Sequence, residues 1–304
     1  MLRSTIYTIF TIALFAITLQ TALAQGGSSP VGVNWIMVTF NTPPNTLSVY
    51  QAPLKYNKDF ALSMQIDDSD ESIFTEGFPL FEGNGTSQGL TYSDGCGNSH
   101  YFKISSSTFI FSNNGTDIHN GYLDKVTWDQ LDTLYNHGWG IINHGVNSDA
   151  GNDPVFIDYS IKRCKSYIRR KLFNTTDGGV STNQFVNPNG FESWTIPAFN
   201  QGYIGAFRQS GDFPIGDDGG DVNDPSIDWT QQLVFKRTNA ESDAVIPHVD
   251  GMANSSINGA NYWSTIFTHN LSTKYSGNFT SDFTYIANTY GESGLDNILM
   301  TTDE

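Results

Sequence analysis

Hydrophobic periodicity divides the chain into strand-like and helix-like segments. Residues 59–68 are mostly apolar and end in two carboxylates, a pattern typical of a buried strand. In residues 157–172, apolar side chains recur every three or four positions, which predicts a helix with one buried face. Thr127 and Gln130 have the spacing of a capping box and predict the start of another helix. The chain therefore combines buried strands with amphipathic helices.

The remaining segments alternate between the two types. Strands are predicted at 139–143, 184–187, 203–208, 232–237, 262–268 and 296–300, and helices at 191–200 and near 280–290. Such alternation predicts right-handed βαβ units and a parallel sheet. Periodicity alone does not distinguish a closed barrel from an open sheet. No repeat of 20–50 residues stands out, which argues against a solenoid.

The first 24 residues have the pattern of a secretory signal peptide. Arg3 precedes a mostly apolar run at 6–19, and Ala22-Leu23-Ala24 is a small-residue cleavage site. The apolar run is short for a membrane span. We therefore expect a secreted, extracellular or periplasmic protein without a membrane span, whose mature chain begins at Gln25.

Residues 58–304 are expected to form one domain, with 25–57 as a Pro-containing N-terminal arm. Residues 76–123 are rich in Gly, Asn, Ser and aromatic residues, and we expect them to fold as an insertion. The chain stops directly after a predicted strand, so either the fold ends at Glu304 or the sequence is part of a longer protein. The insertion is expected to be a hairpin with strands at 101–104 and 108–111.

Charge narrows the choice of partners. The chain has 31 acidic and 15 basic residues and a net charge of −16, which argues against nucleic acid or anionic membrane as partners. The basic residues of helix 157–172 are expected to form a solvated face. Export permits a disulfide between Cys96 and Cys164, although Cys164 lies at an apolar helix position that equally suits a buried free thiol. His100, His119 and His137 are expected at the surface.

Polar side chains that can bind a metal or transfer a proton recur at the ends of predicted strands. The carboxyl ends of parallel strands meet on one side of the fold, so we expect these side chains to lie close together. A carboxylate beside a metal-bound water can accept its proton, and the metal lowers the pKa of that water. The strand-end residues are Asp67, Asp68, His144, Asn187 and His269.

Three segments give this set a family resemblance. In order and spacing, Gln65–Asp68, Gly138–Ser148 and Phe185–Gly190 resemble the motifs of polysaccharide deacetylases, carbohydrate esterase family 4. The resemblance implies an α/β fold, a distorted and incomplete (β/α) barrel of about seven strands. It also implies that Asp67 is the general base and Asp68 a ligand of zinc or another divalent metal such as cobalt or nickel.

The second motif is only half retained. His144 stands where the family has the first metal-binding histidine, but Ser148 occupies the place of the second. A serine hydroxyl is a poor ligand beside imidazole and carboxylate. Asp149, one residue further on, would substitute if the loop shifts, and water is the other way to fill the position.

The third motif keeps Pro188 and Gly190 but has Val186 and Asn187 where the family has an arginine that orients the base. The resemblance assigns the backbone N–H of Asn189 to stabilising the oxyanion. A Pro-Gly turn between strand and helix explains the same residues equally well.

Two weaker matches complete the site. Asp228-Trp229 resembles the segment that lines the substrate groove and partners the catalytic histidine, with core packing of Trp229 as the alternative. His269, at the end of a convincing strand, matches the general acid. His248 is the alternative acid, but it follows Pro247 in a segment less suited to a buried strand.

The resemblance implies an enzyme that removes acetyl groups from N- or O-acetylated polysaccharide by metal-assisted hydrolysis. Two alternatives remain: a catalytically degenerate glycan-binding protein, favoured by Ser148 and the missing arginine, and a related metal-dependent hydrolase acting on another C–N or C–O bond. The sequence does not fix the sugar, the linkage, the metal or the oligomeric state. Ligating atoms of Asp68 and His144 more than about 6 Å apart would exclude a shared metal.

Overall fold

The computed structural model describes residues 54–147, 151, 153–172, 183–208, 234–256 and 262–302. All of these residues belong to one compact unit, 51–304. The signal peptide and nearly all of the predicted arm lie outside the described residues, as do Ser148, Asp149, Asp228 and Trp229.

The chain forms eleven described strands in two sheets. The larger sheet has the order β8-β7-β6-β5-β4-β1-β10-β9, with β11 beside β1, and all of its pairings are parallel. Strands β2 and β3 form a separate antiparallel hairpin. The strands are β1 (Phe60–Ile66), β2 (Thr91–Ser93), β3 (Ser99–Tyr101), β4 (Ser105–Thr108), β5 (Gly140–Asn143), β6 (Gln184–Val186), β7 (Gly205–Arg208), β8 (Val234–Lys236), β9 (Thr238–Asn239), β10 (Tyr262–Thr268) and β11 (Ile298–Met300).

A bend at Arg237 connects the two edge strands of the larger sheet, which is thereby nearly closed into a barrel. Strands β8 and β9 follow each other in sequence but lie at opposite ends of the strand order. Lys236 pairs with Arg208 on β7, whereas Thr238 pairs with Ile266 on β10, so Arg237 carries the chain from one edge to the other. If β8 and β9 are counted as one bent strand, the path contains seven strands. The predicted distorted (β/α) barrel is therefore confirmed.

Six helices are described, and the two clearest predictions among them are confirmed. In α2, Thr127 accepts a hydrogen bond from the backbone N–H of Gln130, whose side chain accepts one from the Thr127 N–H. In α3, the predicted apolar positions from Ile157 to Ile168 are buried. The helices are α1 (Phe78–Glu82), α2 (Trp128–Asn136), α3 (Pro154–Lys171), α4 (Thr195–Asn200), α5 (Val245–Ser256) and α6 (Phe279–Tyr290).

Two predictions of local structure were wrong. The inserted hairpin is present, but it consists of β2 and β3 rather than of strands at 101–104 and 108–111, and Ser105–Thr108, between those two ranges, pairs with β1 and β5 in the barrel. Its small hydroxyl side chains are all buried and give no hydrophobic signal. Helix α5 was not predicted because Pro247 and Gly251 interrupt its pattern, although proline is tolerated in a first turn. His248 is therefore a helix residue.

The buried polar residues also differ from expectation. His119 is only 2% exposed, and its ring nitrogens lie 2.5 Å from the Val126 carbonyl and 2.9 Å from the Phe109 carbonyl. Cys164 is a buried free thiol and Cys96 is exposed, so the two do not pair. Among the described helices, none is both long and apolar enough to cross a membrane.

Candidate functional site

The strand-end residues meet at a small cavity. Its volume is about 50 Å³, and it opens where the carboxyl ends of several barrel strands converge. Five of the residues predicted from sequence, contributed by the ends of β1, β5, β6 and β10, are brought together here. The lining residues are Asp67, Asp68, His144, Asn187, Pro188, Asn189, Gly190, Arg237 and His269.

A left-handed turn places both aspartates at the cavity. Adjacent residues of a regular strand point to opposite faces, but β1 ends at Ile66, and Asp68 and Ser69 have φ angles of 62° and 58°. Such angles are uncommon outside glycine, although Asp tolerates them. The Ser69 hydroxyl donates to the Phe109 carbonyl and accepts from the Phe109 N–H, which holds the turn. The turn therefore directs both carboxylates to one site.

Asp67 forms a buried ion pair with an arginine that the motifs did not reveal. The Arg237 guanidinium donates through Nη1 to Asp67 Oδ1 at 2.7 Å and to Gln65 Oε1 at 2.8 Å. Both charged side chains are at most 3% exposed. The guanidinium also lies 4.1 Å from the centre of the Phe267 ring. Arg237 thus stands against Asp67, as the resemblance requires of the arginine that is missing at Val186 or Asn187.

His144 and Asp68 present two donors at the spacing of a shared metal. The Nδ1 of His144 donates to the Val186 carbonyl at 2.9 Å, which leaves Nε2 as the ring nitrogen that faces Asp68. That Nε2 lies 3.6 Å from Asp68 Oδ1. Metal bonds of about 2.0–2.2 Å place two ligands of one ion no more than about 4.3 Å apart. The pair therefore fits a divalent metal.

Electrostatics at this pair favour a cation. Burial opposes ionisation of Asp68, but its hydrogen bond to His144 and nearby positive charge outweigh burial and lower the pKa of Asp68. Burial likewise lowers the pKa of His144, but Asp68, Asp67 and the Val186 carbonyl outweigh it, and the net pKa is raised. The carboxylates thus create a negative potential at the His144 ring. Among the described residues, no group of three or more His, Cys, Asp or Glu side chains is placed to share an ion.

His269 is oriented by a second residue that the motifs did not reveal. Its Nδ1 donates to Glu241 Oε1 at 2.7 Å, and its backbone N–H donates to the same oxygen at 2.8 Å. The ring is 36% exposed at the cavity. Glu241 is therefore the hydrogen-bond partner of His269, a position that the sequence motifs assigned to Asp228. His248 instead lies on α5, 2.8 Å from the Ser264 hydroxyl, and does not line the cavity.

The loop after β6 forms another wall of the cavity. Asn187 donates through Nδ2 to the Phe191 carbonyl at 3.0 Å and to the Thr195 hydroxyl at 2.7 Å. Between these anchors, Asn189 has a left-handed φ of 51°. Non-glycine residues in this conformation are often found at functional sites. The Pro-Gly turn thus lines the cavity, and it is anchored on both sides by hydrogen bonds of Asn187.

Comparison with known proteins finds no matching family model and no matching curated protein. Among solved structures, the Streptococcus pyogenes deacetylase PplD is 14% identical with a TM-score of 0.37, and the match covers 57% of this chain and 61% of that one. The Xyl-CE4 domain of a xylanase from the hindgut metagenome of Trinervitermes trinervoides is 10% identical with a TM-score of 0.41, covering 80% and 87%.

A family 4 acetyl xylan esterase from Clostridium thermocellum, solved in complex with cobalt, is 12% identical with a TM-score of 0.33, and the match covers 79% of this chain and 98% of that one. The matched region spans less than two thirds of the length of the S. pyogenes deacetylase. These identities and TM-scores are low, so the likeness adds no weight to any particular substrate. At this low level, the fold of the chain is similar to those of polysaccharide deacetylases and family 4 carbohydrate esterases.

Proposed function

We propose that the protein is a secreted, metal-dependent deacetylase that hydrolyses acetyl groups on N- or O-acetylated polysaccharide. One observation carries this proposal: a buried, ion-paired aspartate, a metal-compatible Asp-His pair and an oriented histidine share one cavity. These are the groups that hydrolysis of an amide or ester needs, namely a base, a cation site and an acid.

Asp68 and His144 would hold the divalent metal, which is zinc, cobalt or nickel in this proposal. When bound, such an ion makes a coordinated water more acidic and polarises the acetyl carbonyl. Asp149 is the proposed third ligand from the chain, and it lies outside the described residues. The fixed Nδ1 hydrogen bond to Val186 keeps the His144 ring ready to ligate through Nε2.

Asp67 accepts the proton of the attacking water in this scheme. Its ion pair with Arg237 fixes the carboxylate at the cavity wall and compensates its buried charge. The backbone N–H of Asn189 is proposed to stabilise the negative charge that develops on the acetyl oxygen.

His269 protonates the leaving amine or alcohol of the sugar. The hydrogen bond from its Nδ1 to Glu241 fixes the ring orientation and leaves Nε2 to carry the transferred proton. The cavity of about 50 Å³ has room for a few heavy atoms, enough for an acetyl group but not for a sugar ring. We therefore expect the polymer to lie across the opening, where Asp228 and Trp229 are the proposed groove residues.

A glycan-binding protein without activity is the second candidate. It is favoured by Ser148, which stands where the resemblance expects the second metal-binding histidine. Such a protein would retain its sugar affinity when Asp67 and Asp68 are changed to Asn, and it would release no acetate.

Acetate release tests the choice between the two candidates. The protein would be stripped of metal, reloaded with zinc, cobalt or nickel, and incubated with acetylated xylan and with N-acetylglucosamine oligomers. We expect acetate release by the loaded protein and its loss in Asp67→Asn, whereas His248→Ala, outside the cavity, retains it. Loaded protein that binds these glycans but releases no acetate from either would favour the binding protein.

N-terminal sequencing of the exported chain tests the predicted start at Gln25.

A further inference from the structure

Helix α3 has a charge opposite to that of the rest of the molecule. Its 18 residues include six Lys or Arg and one Asp, a net charge of +5. The remaining chain has nine basic and 30 acidic residues, a net charge of −21. A concentration of two fifths of all cations on one helix is unexpected for a simple solvated face in so acidic a chain.

The cations lie together along the outer surface of α3. Lys162, Arg163, Arg169 and Arg170 are exposed, whereas the positions that face the barrel are apolar. A shallow, open depression of about 410 Å³ lies along this face of the helix. Its lining residues are Lys162, Lys165, Ser166, Arg169 and Arg170.

Most of this charge is not neutralised by nearby carboxylates. Lys162 pairs with Asp158 at 2.7 Å, and Lys171 lies 3.9 Å from Asp117. Within the described ranges, Arg163, Arg169 and Arg170 have no carboxylate at ion-pair distance. Burial and the neighbouring Arg169 lower the pKa of Lys165, as expected where cations crowd one another. This face of α3 therefore presents uncompensated positive charge.

Aromatic rings accompany the cations. The guanidinium groups of Arg163 and Arg170 lie 5.3 Å and 4.3 Å from the centre of the Tyr167 ring, which limits their motion. Tyr159, two turns before Ser166 on the same face, is 54% exposed. Arginine forks bind carboxylate and phosphate groups bidentately, and an exposed aromatic ring can pack against the apolar face of a sugar.

We propose that the outer face of α3 is a second binding surface, for an anionic polysaccharide chain. This inference rests on the proposed function, because it assigns acidic groups to the polymer that the cavity deacetylates. The six cations of α3 lie within residues 162–171 and form a stripe that is one helix wide and, at 1.5 Å per residue, about 15 Å long, which suits a slender chain. Double-stranded DNA or an anionic membrane is disfavoured by the net charge of −21 on the rest of the chain.

Affinity for a carboxylated polymer tests the surface independently of catalysis. The probe is polygalacturonate, with its fully methyl-esterified, uncharged form as reference, and binding is measured by isothermal titration calorimetry at two salt concentrations. We expect the full chain to bind only the charged form, more weakly at high salt. The variant Arg169→Glu/Arg170→Glu should bind at least about tenfold more weakly, since each charge-assisted contact contributes about 1.5–3 kcal/mol.

The matched control is Lys55→Glu/Lys274→Glu, which changes the net charge equally at exposed sites outside α3. It should bind like the unmodified protein, and circular dichroism should show both variants folded. Equal binding by the two double variants would overturn the inference, as would binding to duplex DNA or phosphatidylglycerol vesicles without binding to polygalacturonate.

Release of acetate from short neutral substrates should be unchanged in Arg169→Glu/Arg170→Glu. Absence of that activity in every variant would contradict the proposed function while leaving the binding result to decide on α3.

Discussion

Arg237 and Asp67 form the most deeply buried ion pair of the site, and each depends on the other. Removing one partner of a buried pair leaves an uncompensated charge and costs about 3–5 kcal/mol. We therefore expect Arg237→Ala to lower the free energy of unfolding by that amount, as measured by urea denaturation. Lys162→Ala, in the exposed pair with Asp158, should change it by less than about 1 kcal/mol.

A double-mutant cycle separates this coupling from loss of packing around Phe267. If the ion pair is the cause, Arg237→Ala combined with Asp67→Asn should be less destabilised than the sum of the two single changes. Simple additivity would show that Arg237 stabilises the barrel only by filling space.

His269 is expected to matter most when the leaving group is poor. Loss of a general acid typically costs about 10²–10⁴-fold in rate, so His269→Ala should lower kcat on N-acetylated sugar oligomers to that extent. Nitrophenyl acetate has a leaving group that needs no protonation, and its hydrolysis should fall far less. Glu241→Ala should follow the same selective pattern more weakly, and His248→Ala should change neither rate. An equal loss on both substrates would argue against His269 as the acid.

Residues that act through local motifs were predictable, and residues that act across the fold were not. Asp67, Asp68, His144 and His269 each follow a strand in sequence, and parallel strands bring such positions together. Arg237 lies 170 residues from its partner Asp67, and a charged residue at the end of a predicted strand gives no sign of the carboxylate it will meet. Glu241 follows a two-residue strand too short to detect.

At the scale of elements, Asp296 joins three segments at the amino-terminal side of the barrel. It pairs with the buried Lys58 at 2.7 Å, just before β1, and accepts hydrogen bonds from the hydroxyl and N–H of Ser93 on β2. Partial burial opposes its ionisation, but the contacts with Lys58 and Ser93 outweigh burial and lower the pKa of Asp296. This one carboxylate therefore links β1, the hairpin and the start of β11.

The lowered pKa makes this link sensitive to acid. Because the unfolded chain binds a proton at Asp296 more readily, the stabilisation is full above the ordinary carboxyl pKa of 3.8 and is lost as the pH falls below it. Asp296→Asn, which tolerates the left-handed φ of 52°, should cost about 1.5–3 kcal/mol at pH 7. It should also flatten the dependence of the unfolding midpoint on pH below 4.

Asp158→Asn, in an exposed ion pair, is the matched control and should change the unfolding midpoint little. If Asp296→Asn and Asp158→Asn showed the same steep acid dependence as the unmodified protein, the link through Asp296 would be of minor importance.

Elements were predictable where one physical signal dominated. The helix α3 and the strand β10 have strong periodicity or a strong apolar run, and both match their predicted ranges closely. Strand β4 is a run of serine and threonine that becomes fully buried between β1 and β5, so its partners rather than its own hydrophobicity determine its conformation. Helix α5 contains Pro and Gly, and only its packing reveals it as a helix.

At the scale of the whole molecule, closure of the barrel and assembly of the site depend on the same residue, Arg237. The bend at Arg237 brings the edge strands together and also carries the guanidinium to Asp67. The alternation of strands and helices predicted the parallel sheet, whereas closure depends on that single bend. The proposed acid, His269, follows β10, His144 follows β5, and both aspartates follow β1.

Metal stoichiometry tests the central claim most directly. The purified chain would be stripped with a chelator, titrated with zinc in a calorimeter, and analysed for bound metal, beside Asp68→Asn and His144→Ala and with His248→Ala as control. We predict about one ion per chain in the unmodified protein and the control, and little or none in the other two variants, because they remove donors that lie 3.6 Å apart. A chain that binds no divalent ion, or one whose binding survives both substitutions, would contradict a metal-dependent hydrolase at this site.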